Sequence, residues 1–298
     1  MHPSATILRS GTPRLAFAAL LVGNLALAFG PWLVRLADVG PVAAGFWRLA
    51  LAIPFLLLLT RAAGQSFARP PAALLGVIAL GGWFFAADLG AWHAGIRLTK
   101  LANATLFANV SSFFFAVYGF WIARRAPRPL QAGALLLAAV GAALLMGGSY
   151  EVSPRYLRGD LLCLAAGLLY TGYLIAIDRA RETMAPLPLL TLATIAAAPP
   201  LLVATLLLGE AWWPGDWTPL VMLALGSQVL GQGLLVYAIG HLSPVVVGLG
   251  LLTQPAIAAA IGWLAYGELM TALDWVGALA IAAALVLVRL PKLAPAAP

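Results

Sequence analysis

The sequence predicts an all-α fold: a polytopic membrane protein of ten transmembrane helices built as two inverted five-helix repeats. Three observations carry this expectation. The 298 residues are 63% hydrophobic and only 9% charged, with a mean hydropathy of +0.98, whereas a soluble domain is roughly half apolar and a quarter charged. The apolar residues gather into ten runs of about twenty, each long enough to cross a bilayer. The punctuation of the first five runs recurs, shifted by 144 residues, in the last five.

Taken in order, the runs cover roughly 14–36, 41–60, 72–95, 99–122, 129–148, 158–178, 185–208, 217–240, 243–267 and 271–289. Gly40-Pro41 starts the second, Pro70-Pro71 precedes the third, Thr218-Pro219 opens the eighth and Ser243-Pro244 the ninth. Proline suits a first helical turn, where its missing N–H would have gone unused. Thr271 and Asp274 are spaced as a capping box for the tenth run. The connections are short and leave no room for a soluble domain. The first run, beginning near Leu15, lacks the small-residue cleavage pattern of a signal peptide. Cys163 is the only cysteine, so no intrachain disulfide forms. His2, His93 and His241 are too scattered for a metal ligand set. No cofactor is expected.

At the 144-residue offset Arg14 aligns with Arg158, Gly23 with Gly167, Arg35 with Arg179, Gly82 with Gly226, Gly133 with Gly277, and the cap Thr99 with the cap Ser243. The two repeats are therefore expected over 1–150 and 151–298. A five-helix unit crosses the membrane an odd number of times, so its second copy is inverted. Inverted repeats are an architecture of secondary transporters, with the substrate site near the midplane between them.

Charge sets the orientation. With a cytoplasmic N-terminus, eleven Lys and Arg fall inside and five outside, while Arg48 lies within a span. Flipping the chain reverses that two-to-one bias. Both termini are expected in the cytoplasm, in a bacterial-type inner membrane. The net charge of +7 is accordingly a topology signal rather than a nucleic-acid footprint.

The ninth run holds Thr253, Gln254 and Pro255 near its middle. Pro255 frees a carbonyl and kinks the helix. In lipid such a break is tolerated only against protein or a water-filled cavity. It is either satisfied by a neighbouring helix or lines a transport path.

Beside this proline stand Arg48 in the phrase FWRLALA (46–52), Gly267-Glu268 at the end of the ninth run and WVGALAIAAALVLV (275–288). In this order and spacing the chain resembles the drug/metabolite transporter superfamily, in its ten-helix EamA-like branch. The first half departs from that pattern. Ser111 stands where the repeat puts Pro255, and Arg124 where it puts Glu268. The resemblance implies export of small metabolites, commonly amino acids, and exporters of aromatic and other hydrophobic amino acids look closest in character.

Ionisable groups at membrane depth cost about 2.5–3.5 kcal/mol each on insertion scales, so each needs a reason. Asp88 is the one acid well inside a span, sharing a helical face with Phe84 and Trp92, and the offset sets it opposite Gln232, which shares a face with Gln228. The two groups either face one central cavity or form a structural hydrogen bond. His93 reads as interfacial rather than as a proton relay. Asn103, Asn109, Ser111 and Ser112 either glue helices or, for Asn109, face the cavity with its repeat partner Thr253. Arg48 either snorkels outward or anchors an acidic group. Trp83, Tyr170, Tyr173 and Tyr237 are candidates for an aromatic wall, whereas Trp212, Trp213 and Trp217 read as interfacial belt. The expected substrate site is thus Arg48, Trp83, Phe84, Asp88, Asn109, Ser112, Tyr170, Tyr173, Gln228, Gln232, Thr253 and Gln254, with Pro255 as the hinge.

A membrane enzyme would need clustered acids and histidines or a nucleophile with its base, and the sequence offers neither. A channel would need rings of charge or a carbonyl filter. No Gly-x-x-x-x-Gly-Lys-Ser/Thr loop is present, so ATP is not the expected drive. What remains is a secondary transporter with a small-molecule substrate and the bilayer as partners, a monomer being the expected unit. A multidrug, cationic-compound or sugar exporter is the alternative within the superfamily, and a membrane-embedded enzyme is the alternative from another class.

Overall fold

The computed structural model describes residues 13–67, 70–99, 101–147, 154–257 and 271–289, all helices and connections with no strand among them. In chain order the helices are α1 (Pro13–Ala28), α2 (Gly30–Leu36), α3 (Pro41–Ala62), α4 (Ala72–Leu98), α5 (Leu101–Ala108), α6 (Val110–Ile122), α7 (Pro129–Gly147), α8 (Leu157–Ala180), α9 (Pro186–Leu207), α10 (Thr218–Met222), a π-helical segment (Leu223–Gln232), α11 (Gly233–Ile239), α12 (Pro244–Leu251) and α13 (Ala272–Arg289). Six helical stretches are long and apolar enough to span a bilayer, and four shorter apolar ones accompany them. Gly267 and Glu268 lie outside the described residues.

The starts are set by the chemistry the sequence displays. Pro41, Pro186 and Pro244 stand first in α3, α9 and α12. Asp274 accepts the Thr271 amide at 2.7 Å and its hydroxyl at 2.8 Å, and the Asp274 amide donates back to Thr271 Oγ1 at 3.3 Å, a closed capping box.

Four of the membrane-crossing stretches are irregular near their middles. The first breaks at Phe29 between α1 and α2, the fourth at Asn109 between α5 and α6, the ninth at Leu252, and the eighth widens into ten residues of π-helix. The other long helices, α3, α4, α8 and α9, run without interruption.

The duplication appears in both boundaries and packing. An offset of 144 residues carries the start of α1, Pro13, onto the start of α8, Leu157. The densest packing joins α4 to α8, α7 to α13, α3 to α9, α4 to α9 and α6 to α12. Every one of these interfaces pairs a helix of the first half with one of the second. They are also reciprocal: α4 on α8 has its counterpart in α1 on the π segment and α11, and α4 on α9 in α3 on the π segment. The two halves are interleaved rather than set side by side. Small residues permit the close approach. A Cβ at Gly82 would come within 2.7 Å of the Ala193 carbonyl oxygen, and one at Gly95 within 2.6 Å of Cys163 Sγ.

The largest core cluster, including Leu49, Phe85, Phe115, Tyr173 and Leu235, fills the space among α1, α3, α4, α6, α8, α9 and α11. His93 is fully buried. Its Nδ1 lies 2.8 Å from the Pro41 carbonyl, tying α4 to the start of α3. The tryptophans Trp212, Trp213 and Trp217 gather on Trp47, whose Nε1 donates to the Trp212 carbonyl at 2.5 Å.

Candidate functional site

The irregular stretches converge. A central cavity, with about 110 Å³ open to the centres of water molecules, is lined by Ala28, Gly30 and Pro31 at the first break, by Asn109, Ser111 and Ser112 at the second, by Gln232 at the end of the π segment, and by Leu251 and Gln254 at the ninth. Non-helical backbone at membrane depth belongs against protein or water, and π segments recur at functional sites. The straight helices add Arg48 from α3, Phe85, Asp88 and Trp92 from α4, and Tyr170 from α8. By chain order these residues lie in the part of the bundle nearer the α2–α3 and α4–α5 connections.

At two of the breaks side chains donate to backbone carbonyls. Asn109 Nδ2 donates to the Thr105 carbonyl at 2.7 Å and Ser111 Oγ to the Ala108 carbonyl at 3.0 Å. At the ninth-helix break Thr253 Oγ1 donates to the Gly250 carbonyl at 2.7 Å, and so does Asn24 Nδ2, from α1, at 2.6 Å. Pro255 is buried three residues past the break at Leu252. Asn24 is fully buried and also receives Gln254 Nε2 at 3.4 Å. Sequence reasoning missed this asparagine, because Leu168 occupies its place in the second repeat.

Arg48 is buried, 4% exposed, and lines the cavity instead of snorkelling. Its Nε donates to Gln228 Oε1 at 3.2 Å, and its guanidinium carbon lies 5.7 Å from the Phe85 ring centroid. Gln228 in turn donates to Thr194 Oγ1 at 3.0 Å. Asp88 is 8% exposed, and no hydrogen bond reaches its carboxylate among the described residues. It is close enough to Arg48 for the two charges to act on one another. Gln232 Nε2 donates to the Tyr170 hydroxyl at 3.1 Å, and its Oε1 accepts from the Tyr173 hydroxyl at 3.5 Å. Among the described residues Trp92 Nε1 and Ser112 Oγ have no hydrogen-bond partner.

Of the residues expected at the site, Arg48, Asp88, Asn109, Ser112, Tyr170, Gln232 and Gln254 do line the cavity. The others sit elsewhere. Trp83 is 63% exposed on the outside of the bundle. Phe84 packs on α8, its ring 2.8 Å from where a Cβ on Gly172 would stand, and Phe85 takes the inward place beside Asp88. Tyr173 lies behind the lining, fully buried and stacked on Phe85 at 4.5 Å. Gln228 is likewise one layer back, as the brace of Arg48. Thr253 is taken up by the ninth-helix break, where Asn24 Nδ2 reaches its hydroxyl at 3.1 Å. Tyr237 stacks on His241 at 4.4 Å, away from the cavity. Toward the end of the bundle where α1 begins, Phe115 and Tyr118 stack at 5.7 Å and the Tyr118 hydroxyl donates to Asp178 at 3.2 Å.

Among the described residues, apolar helices thus surround a cavity lined at several irregular backbones. Residues 157–290 match the model of the EamA-like transporter family. The EamA-like match falls on the second half of the chain, and together with the long apolar helices it is that of a multi-pass membrane fold. A solved crystal structure resembles the whole chain, with a TM-score of 0.76 at 20% identity over 94% of this chain and 97% of that one, a likeness of fold. No curated protein matches. The EamA-like half supplies Tyr170, Gln232 and Gln254 to the cavity, and both its buried charges come from the first half. Among the described residues no cluster of three or more His, Cys, Asp or Glu is spaced to hold a metal ion.

Proposed function

We propose that this chain is a secondary transporter that exports aromatic and other hydrophobic amino acids across the cytoplasmic membrane by alternating access, with both termini in the cytoplasm. One observation carries the reading. Among the described residues, the cavity lining is largely apolar and aromatic and holds one cation, Arg48, and one acid, Asp88, so its formal charge is balanced. A sugar phosphate or nucleotide brings a dianion, which a single guanidinium already facing a carboxylate does not neutralise. A cationic drug meets the mirror-image difficulty. A zwitterion leaves the balance intact, and the apolar wall holds its side chain at about 0.8 kcal/mol per buried methylene. The EamA-like match to the second repeat supports the transporter class.

The test is transport by the purified protein in vesicles, offered labelled phenylalanine, tryptophan, a sugar, a nucleoside and a lipophilic cation. Phenylalanine and tryptophan are expected to move. Movement of the sugar or the cation alone would end the amino-acid reading. Asp88 is the buried acid in the cavity available to carry a coupling proton. If Asp88→Asn equilibrates phenylalanine without concentrating it, transport is proton-coupled, and if the wild type only equilibrates it, transport is facilitated diffusion. For orientation, cysteines replacing Arg125 and Asp216, in a background without Cys163, should react in whole cells with permeant reagents only and with impermeant reagents respectively. The reverse pattern turns the protein over.

A further inference from the structure

Two buried charges of opposite sign in one cavity ordinarily find one another, because an unpaired buried charge is costly. Arg48 and Asp88 do not. Both line the cavity, 4% and 8% exposed, yet no hydrogen bond or ion pair joins them. Each is held by its own surroundings. The Arg48 Nε is committed to Gln228, which is itself braced by Thr194, and the guanidinium lies over Phe85. That leaves the two terminal nitrogens of Arg48 uncommitted, a fork that matches a carboxylate. Asp88 keeps a carboxylate without a donor. Close by, the lining residues Trp92 and Ser112 hold polar hydrogens that no group among the described residues accepts.

This arrangement is incomplete in a particular way: it lacks a body carrying both a carboxylate and a cation a short distance apart. An α-amino acid has both on one carbon. Building on the amino-acid reading above, we infer that Arg48 and Asp88 are the two poles of a zwitterion clamp. The substrate carboxylate lies bidentate on the Arg48 fork, and its ammonium donates to Asp88. The Gln228–Thr194 chain acts as a positioning brace, fixing the fork without touching substrate. With the α-groups so held, the substrate side chain lies along Phe85, Tyr170 and Trp92, the aromatic part of the lining. Specificity then has two layers. The clamp demands both α-charges, and the aromatic wall sorts side chains by apolar area. A monovalent amine or acid satisfies one pole and strands the other, which counts against it.

The experiment is counterflow of labelled phenylalanine in vesicles, competed by phenylalanine, by phenylalanine amide, which lacks the carboxylate, and by N-acetylphenylalanine, which lacks the ammonium. In the wild type both analogues should compete at least about 100-fold more weakly than phenylalanine. Asp88→Asn should erase discrimination against N-acetylphenylalanine only, and Arg48→Gln discrimination against the amide only. Asp88→Glu and Arg48→Lys should keep each preference in weaker form. Gln228→Leu should raise KM and blur discrimination against the amide while leaving that against N-acetylphenylalanine intact, which a merely structural role would not do. If neither phenylalanine nor tryptophan moves, the amino-acid reading falls and the clamp with it. If phenylalanine moves but both analogues compete as well as the parent, the clamp alone is overturned. That wild-type comparison needs no variant to fold.

Discussion

The fourth and ninth membrane-crossing stretches occupy matching places in the two repeats and break within one residue of matching points, at Asn109 and Leu252. They break by different chemistry. The ninth has Pro255, and a carbonyl at its break is taken by Asn24 from another helix. The fourth has no proline there. Its carbonyls at Thr105 and Ala108 are taken by Asn109 and Ser111 of the same stretch. The difference teaches that the break is a property of the place, beside the cavity, and not of proline. Either a missing donor or a competing side-chain donor will open the backbone. The break at Asn109 is self-contained, whereas that at Leu252 depends on α1.

The comparison can be broken at four points. The two stretches cross where Gly248 meets the Ser112 carbonyl so closely that a Cβ has no room. Gly248→Leu should therefore cost about 3 kcal/mol or more, read as loss of monodisperse protein on size-exclusion chromatography in detergent. A well-folded Gly248→Leu would mean the broken stretches do not pack as described. Asn24→Ala should come next, lowering thermal stability by about 1 kcal/mol, since it removes the inter-helix bonds to Gly250 and Thr253. Asn109→Ala should cost less, on the order of 0.5 kcal/mol, because Thr105 keeps the Asn109 backbone amide, 3.1 Å away. Should Asn109→Ala prove the more damaging, the contrast between a self-contained and a dependent break fails. The smallest effect is expected of Ser111→Pro, which places proline at the position matching Pro255. Ser111 is the second residue of α6, where the backbone amide has no intrahelical acceptor. A change within about 0.5 kcal/mol and retained transport would show the two chemistries to be interchangeable.

The sequence displays the fold more openly than the site, and the reason is physical. Run length and charge are one-dimensional signals. The structure's α3, Pro41–Ala62, and α9, Pro186–Leu207, differ from the expected 41–60 and 185–208 by two residues at most. A cavity depends on which side of a helix turns inward. Phe84 and Phe85 are one residue apart, roughly 100° around a helix, and neither the apolar pattern nor the spacing to Asp88 separates them. Gln228 and Gln232 are four residues apart, yet Gln232 lines the cavity while Gln228 braces Arg48, and no residue type announces the ten-residue π segment. Asp88 and Gln232, by contrast, were found together through the repeat, because symmetry delivers a pair without knowledge of rotation. Asn24 has no such partner, since Leu168 stands at its repeat position.

The interleaving of the halves has a consequence for how the protein comes into being. Helices α3, α4, α6 and α7 each find their densest packing on a helix of the second half. When the first five stretches have entered the bilayer, the glycine-rich face of α4 at Gly81, Gly82 and Gly95 still has lipid where α8 and α9 will be. Insertion and assembly are thus separate events, and assembly waits for the whole chain. In this light the molecule is a heterodimer tied by a short tether between α7 and α8. Cutting that tether genetically and expressing 1–150 and 151–298 together should rebuild a working pair, while either piece alone has no bundle to form.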